Sequence, residues 1–109
     1  MNLTEAYAGD AHVVRVEDDR IDAAVAILFK DKMREIAGAK SGRVILDLER
    51  VSFVDSSGLG AIVAVMKFLA PNCTLELAAL SPTVSKVFHM TRMDRIFTIH
   101  ASAPLLSAQ

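Results

Sequence analysis

Asp55-Ser56-Ser57-Gly58-Leu59-Gly60 is the segment of this chain whose residue types could do chemistry. A serine hydroxyl becomes a nucleophile when a base is placed to take its proton. Ser56 and Ser57 follow an apolar run, as the nucleophile of an α/β-hydrolase does at its strand-to-helix elbow. The Gly-x-Ser-x-Gly pattern of that elbow is not met, because Val54 or Asp55 stands where the first glycine is required, and 109 residues fall well short of that fold. Gly58-Leu59-Gly60 also lacks the third glycine of a dinucleotide fingerprint, and no Gly-Lys-Ser or Gly-Lys-Thr exists to form a phosphate loop. Metal ligation needs clustered ligands, whereas His12, His89 and His100 fall in separate segments and Cys73 has no partner nearby. The expected catalytic residues, cofactors and metals are therefore none.

Two other readings of the turn remain. In the plainer one, Asp55 or a serine caps a helix and the glycines let the backbone turn sharply and pack closely. In the other, two hydroxyls and two glycines around Leu59 make a flat, small-residue surface that another protein can approach. A phosphate on a serine there adds roughly 1.5 to 2 negative charges at neutral pH. The N-terminus of a helix stabilises such a charge, and Asp55 beside it repels it. The fold would then survive the modification while a docked partner would not.

The elements that must position this turn are legible from periodicity. Leu3 to Tyr7 and His12 to Val16 flank the turn dipeptide Gly9-Asp10 and read as a hairpin, with Val14 and Val16 on its inner face. Glu17 to Arg20 reads as a solvated loop. From Asp22 the spacing is helical, with Val25, Leu28, Phe29, Met33 and Ile36 in one stripe, and Gly38 and Gly42 bracket the exit. Val44 to Leu48 has the composition of a central parallel strand, and Val51 to Val54 delivers the chain to Asp55. Leu59, Ile62, Val63, Met66 and Leu69 then make a helix whose apolar surface is too wide to face the sheet alone. Pro71-Asn72 stops it, and Cys73 to Ala79 alternates as a half-buried strand does, with Cys73 a small buried hydrophobe. Ser81-Pro82 supplies an N-cap and a first-turn proline for a helix with Val84, Val87 and Phe88 inside. Ile96 to Ile99 reads as a last strand and Ala101 to Gln109 as a short helix or frayed tail. Strands alternating with helices of this length predict right-handed crossovers and a mostly parallel sheet, made mixed by the hairpin.

Composition narrows the partners. Twelve Lys and Arg against thirteen Asp and Glu leave a net charge of -1, with no basic run to track a phosphate backbone, so nucleic acid is not expected. The N-terminus has no basic n-region or apolar h-region, and the uncharged stretch from Ser56 to Met66 is too short to span a bilayer. A lone cysteine agrees with a reducing cytoplasm. Hydrophobic residues make up 52% of the chain against 23% charged, so the core is generous or some apolar surface is reserved for a partner.

Val44-Ile45-Leu46-Asp47-Leu48 followed by Val51 to Gly60 resembles the STAS domain of bacterial anti-sigma factor antagonists. The resemblance extends more loosely through Leu75 to Pro82, Val84, Val87-Phe88 and Ile96-Phe97, and Ile21-Asp22 resembles the hydrophobic-Asp pair that opens the family's first helix. It departs from the family where Asp18-Asp19-Arg20 replaces a glycine and where Ala70-Pro71-Asn72 replaces a glycine-rich link. The resemblance implies an α/β fold over residues 1–109 as a single domain, with a four- to five-stranded mixed sheet and helices mainly on one face. It implies a non-enzymatic partner-switching role, in which an anti-sigma factor with serine kinase activity phosphorylates Ser56 and a serine phosphatase resets it. Asp22, Asp55, Ser57, Gly58, Leu59 and Gly60 fall at the partner-facing surface of that scheme, with Ser57 left as the helix cap. The alternative within the same family is an unmodified subunit of a signalling scaffold or of a lipid or anion transport complex.

Overall fold

Gly9 adopts a positive φ of 62° and closes a two-residue loop between β1 (Leu3–Ala8) and β2 (Ala11–Val16), with Ala8 opposite Ala11. This antiparallel hairpin forms one side of a five-stranded sheet of order β1-β2-β4-β6-β7 in a computed structural model that describes residues 1–38 and 42–104. β4 (Gly42–Asp47), β6 (Cys73–Ala78) and β7 (Ile99–His100) run parallel to β2 and to one another, so the sheet is mixed, as expected. β3 (Arg20–Ile21) and β5 (Phe53–Val54) pair in parallel as a separate two-stranded ribbon.

Three helices, α1 (Ala26–Ala37), α2 (Ser56–Leu69) and α3 (Pro82–Met90), bury their apolar stripes in one core with the inward side chains of β2, β4 and β6. Phe29 and Met33 of α1, Ile62 and Val65 of α2, and Phe88 of α3 are fully enclosed there against Val14, Leu46 and Leu77. Burying such side chains stabilises a fold by about 1.5–3 kcal/mol each, which makes this face of the sheet the main source of stability. On the opposite face Ala11, Val13, Ile45 and Ala78 form a smaller cluster, partly covered by Ala103.

Four elements differ from the sequence reading. Helix α1 starts at Ala26 and not at Asp22, because the chain first closes a tighter turn in which Val25 N–H donates to the Asp22 carbonyl, and the first helical bond runs from Phe29 N–H to the Val25 carbonyl. Its buried stripe is Ala26, Phe29, Met33 and Ala37, while Leu28 is exposed. Arg20, assigned to a solvated loop, belongs to β3. β6 is covered on both faces, for Glu76 and Ala78 are buried as well as Leu75 and Leu77. Glu76 tolerates this because Arg43 grips it through Nε and Nη2 at 2.9 Å each and His100 Nε2 lies at 2.7 Å. The Arg43 hydrogen bonds come first in lowering its pKa to about 2, and His100 adds to them.

The last strand is short. Arg92 takes a left-handed φ of 61° and Met93–Arg95 makes a 3-10 turn, so the chain reaches β6 late and pairs only at Leu77 and Ala78. Phe97 meets Phe88 edge-on at 5.9 Å, which uses the start of the apolar run for packing and leaves Ile96 exposed. Cys73 is buried at the start of β6, as expected. Residues 101–104 are not helical, and the rest of the tail lies outside the described residues.

Candidate functional site

Three observations build the turn. Asp55 is extended at φ -94° and ψ -175°, and its Oδ1 accepts from Gly58 N–H at 2.8 Å, so the N-cap of α2 is Asp55 and not Ser57. Its Oδ2 accepts from Ala23 N–H at 3.1 Å, so one carboxylate joins the start of α2 to the chain entering α1. The Gly58 N–H is the first cause holding the Asp55 carboxyl below the usual carboxylate range, and the Ala23 N–H adds to it. Third, Gly58 is buried against the backbone of Ile21, where any Cβ would run into the Ile21 carbonyl oxygen. The glycine lets β3 cross the first turn of α2 in close contact.

The two serine hydroxyls are thereby left out of the cap. Ser56 and Ser57 occupy the first two positions of α2, and both are exposed. The other expected site residues divide. Asp22 lies next to Ala23 and therefore beside Asp55, with Arg20 Nη1 3.5 Å from its Oδ2. Gly60 is exposed with open space around it, whereas Leu59 is half-buried and packs on the main core. Asp22, Asp55, Ser56, Ser57 and Gly60 thus share one outer surface, and Gly58 shapes it from beneath.

Sequence reasoning missed Arg20 and Phe53. The ribbon sets Ile21 and Val54 into the core, so their neighbours Arg20 and Phe53 point outward, and the Arg20 guanidinium sits 5.3 Å from the Phe53 ring centroid. Two-residue strands are too short for periodicity to disclose. Phe53, Ile27 and Leu28 are exposed apolar side chains on the elements that flank the turn. A cleft of about 380 Å³ lies between Thr4, Val13, Arg15, Asp47 and Ala103, and one of about 320 Å³ beside Met66, Thr74 and Ile96. Both lie away from the turn, whose open surface suits a protein partner better than a small molecule. Among the described residues no group of three or more His, Cys, Asp or Glu could hold a metal ion, and no helix is long and apolar enough to cross a membrane.

The STAS domain model matches residues 5–104. The chain belongs to the STAS domain family. Solved STAS structures share its fold. An anti-sigma factor antagonist from Mycobacterium paratuberculosis aligns with a TM-score of 0.81 at 21% identity, over 93% of this chain and 86% of that one. The unphosphorylated form of the antagonist SpoIIAA aligns at 0.71 and 24% identity, over 93% and 89%, and its phosphorylated form, from Bacillus, at 0.63. The murine Slc26a9 anion transporter aligns at 0.75 and 17% identity over 86% of this chain but 16% of the transporter. The five-stranded mixed sheet with three helices is the STAS fold of SpoIIAA.

Proposed function

We propose that this STAS protein is a cytoplasmic anti-sigma factor antagonist that works by partner switching without an enzymatic step of its own. In its unphosphorylated form it binds an anti-sigma factor with serine kinase activity. That partner moves the γ-phosphoryl group of ATP onto Ser56 Oγ, the hydroxyl proton departs, and ADP is the leaving product. A serine phosphatase hydrolyses the phosphoserine and restores the binding form. The observation that carries this reading is the placement of Ser56: exposed, first in α2 and unused in capping, because Asp55 holds the helix start by itself.

The physics of a switch is present in the same place. Added phosphate sits next to the Asp55 carboxylate on the surface that Asp22, Ser57 and Gly60 share, where it brings charge and bulk against a docked partner. Incubation with the anti-sigma factor kinases of its own cell and MgATP, followed by peptide mass spectrometry, tests the assignment. One phosphate on Ser56, abolished by Ser56→Ala, is the expected result. Phosphate on Ser57 or elsewhere would remove Ser56 from the mechanism.

A second reading is favoured by the alignment with an anion transporter, since a STAS domain also serves inside a much longer membrane protein. In that reading the turn docks permanently and unmodified in a scaffold or transport complex. Purification of the protein as a stoichiometric subunit whose Ser56 stays unmodified in the presence of every kinase tried supports it over the switch.

A further inference from the structure

We propose that Arg20 is the counter-ion for a phosphate on Ser56, and that its capture by that phosphate takes it away from Asp22. The inference rests on Ser56 being the modified residue, and it adds a second event at the same surface. Ile21 lies in the core, so Arg20 faces outward from the ribbon, and its ion pair with Asp22 just beyond the strand puts both on that outer side. The parallel register sets Arg20 opposite Phe53 and Ile21 opposite Val54, which carries Asp22 and Ala23 forward alongside Asp55 and the start of α2.

The guanidinium is parked on this surface and only lightly held. It lies over Phe53, its Nη1 is 3.5 Å from Asp22 Oδ2, and its Nε is 3.9 Å from Asp19 Oδ1, both longer than a charge-assisted hydrogen bond. Arg20 is 57% exposed although Asp22 is half-buried, so solvent screens the cation and leaves it free to swing to another acceptor. Its partner Asp22 precedes Ala23, whose N–H donates to Asp55, the residue immediately before Ser56. A doubly charged phosphate with three acceptor oxygens outcompetes one carboxylate for a guanidinium fork.

Two changes of charge then occur together. Before modification the surface presents a neutral Arg20–Asp22 pair; afterwards it presents a phosphate bound to Arg20 and an Asp22 carboxylate without its cation. Asp22 keeps its bond to Ala24 N–H, so the turn before α1 survives. A partner fitted to the neutral pair meets new negative charge at both Ser56 and Asp22.

The test uses the full chain with phosphoserine built in at position 56 during synthesis, which makes the result independent of any kinase. The charged groups flanking the phosphate are Asp19, Arg20 and Asp22 around β3 and Asp55 ahead of α2, while α1 opens with the uncharged Ala26 to Phe29. In a phosphorus NMR titration a phosphoserine loses its second proton near pH 6, and a bound guanidinium lowers that midpoint. Arg20→Gln is expected to raise the midpoint by about one pH unit, and Arg20→Lys by less. Equal midpoints in parent and Arg20→Gln would overturn the counter-ion role. The Asp22 carboxyl carbon resonance is expected to move on phosphorylation in the parent and to stay in Arg20→Gln; equal movement in both overturns the release of Asp22. Failure of the wider reading shows itself separately, as a kinase that leaves Ser56 unmodified.

Discussion

Two strands of this protein hand the chain to a helix through a side-chain cap, and they do it for different ends. At α3, Ser81 accepts from Val84 N–H at 3.3 Å and Pro82 takes the first turn, so every contact of the cap is local. At α2, Asp55 accepts from Gly58 within its own helix and from Ala23 of another segment, and Gly58 is pressed on Ile21. The first junction only starts a helix. The second also welds a ribbon to the helix and leaves two serines at its exposed tip, the rigid and accessible placement that the proposed switch requires.

That contrast can be broken by substitution. Gly58→Ala is expected to have the largest effect, because the methyl group collides with backbone that cannot move without parting β3 from α2; a loss of about 3 kcal/mol in urea unfolding is predicted. A cost near zero would mean that the close crossing is dispensable. Asp55→Ala comes next and should lower the melting temperature more than Ser81→Ala, whose cost is about 1 kcal/mol. Equal losses at the two caps would show that the bond to Ala23 adds nothing. Gly60→Ala has the opposite sign: with open space around it in a helix, alanine should stabilise the protein by about 0.5–1 kcal/mol.

Acid sharpens the comparison least but most specifically. The folded Asp55 carboxyl is held below its unfolded value, so its contribution is complete above about pH 4 and fades as pH falls through the lowered folded value. Ser81 does not titrate. The melting-temperature gap between the parent and Asp55→Asn is therefore expected to narrow below about pH 4, while the gap between the parent and Ser81→Ala stays level. Glu76 on the far face of the sheet behaves like Asp55, its contribution fading as pH approaches its value of about 2.

The sequence carried the two junctions unequally. Ser81-Pro82 announces its cap and first turn by residue type, and the hairpin around Gly9-Asp10 and the central strands are equally direct, because turn chemistry and period are local signals. Asp55 was visible as a candidate cap, yet its bond to Ala23 was not, since the two lie 32 positions apart. A tight turn from Asp22 to Val25 holds α1 back to Ala26, and the helical spacing of the apolar residues does not disclose it. The ribbon that presents Arg20 and Phe53 escaped for want of length, and Ile96 was misplaced because packing of Phe97 on Phe88 overrode strand propensity.

The central claim is that Ser56 is the switch on a surface held rigid by Asp55 and Gly58, and its most direct test is a binding titration. Unphosphorylated protein and protein carrying phosphoserine at position 56 are titrated by calorimetry into the same anti-sigma factor kinase, with both samples checked for identical unfolding curves. The account predicts that the phosphate weakens binding by about a hundredfold, the effect of one close like-charge clash at an interface. Equal affinities from two equally folded samples would contradict it.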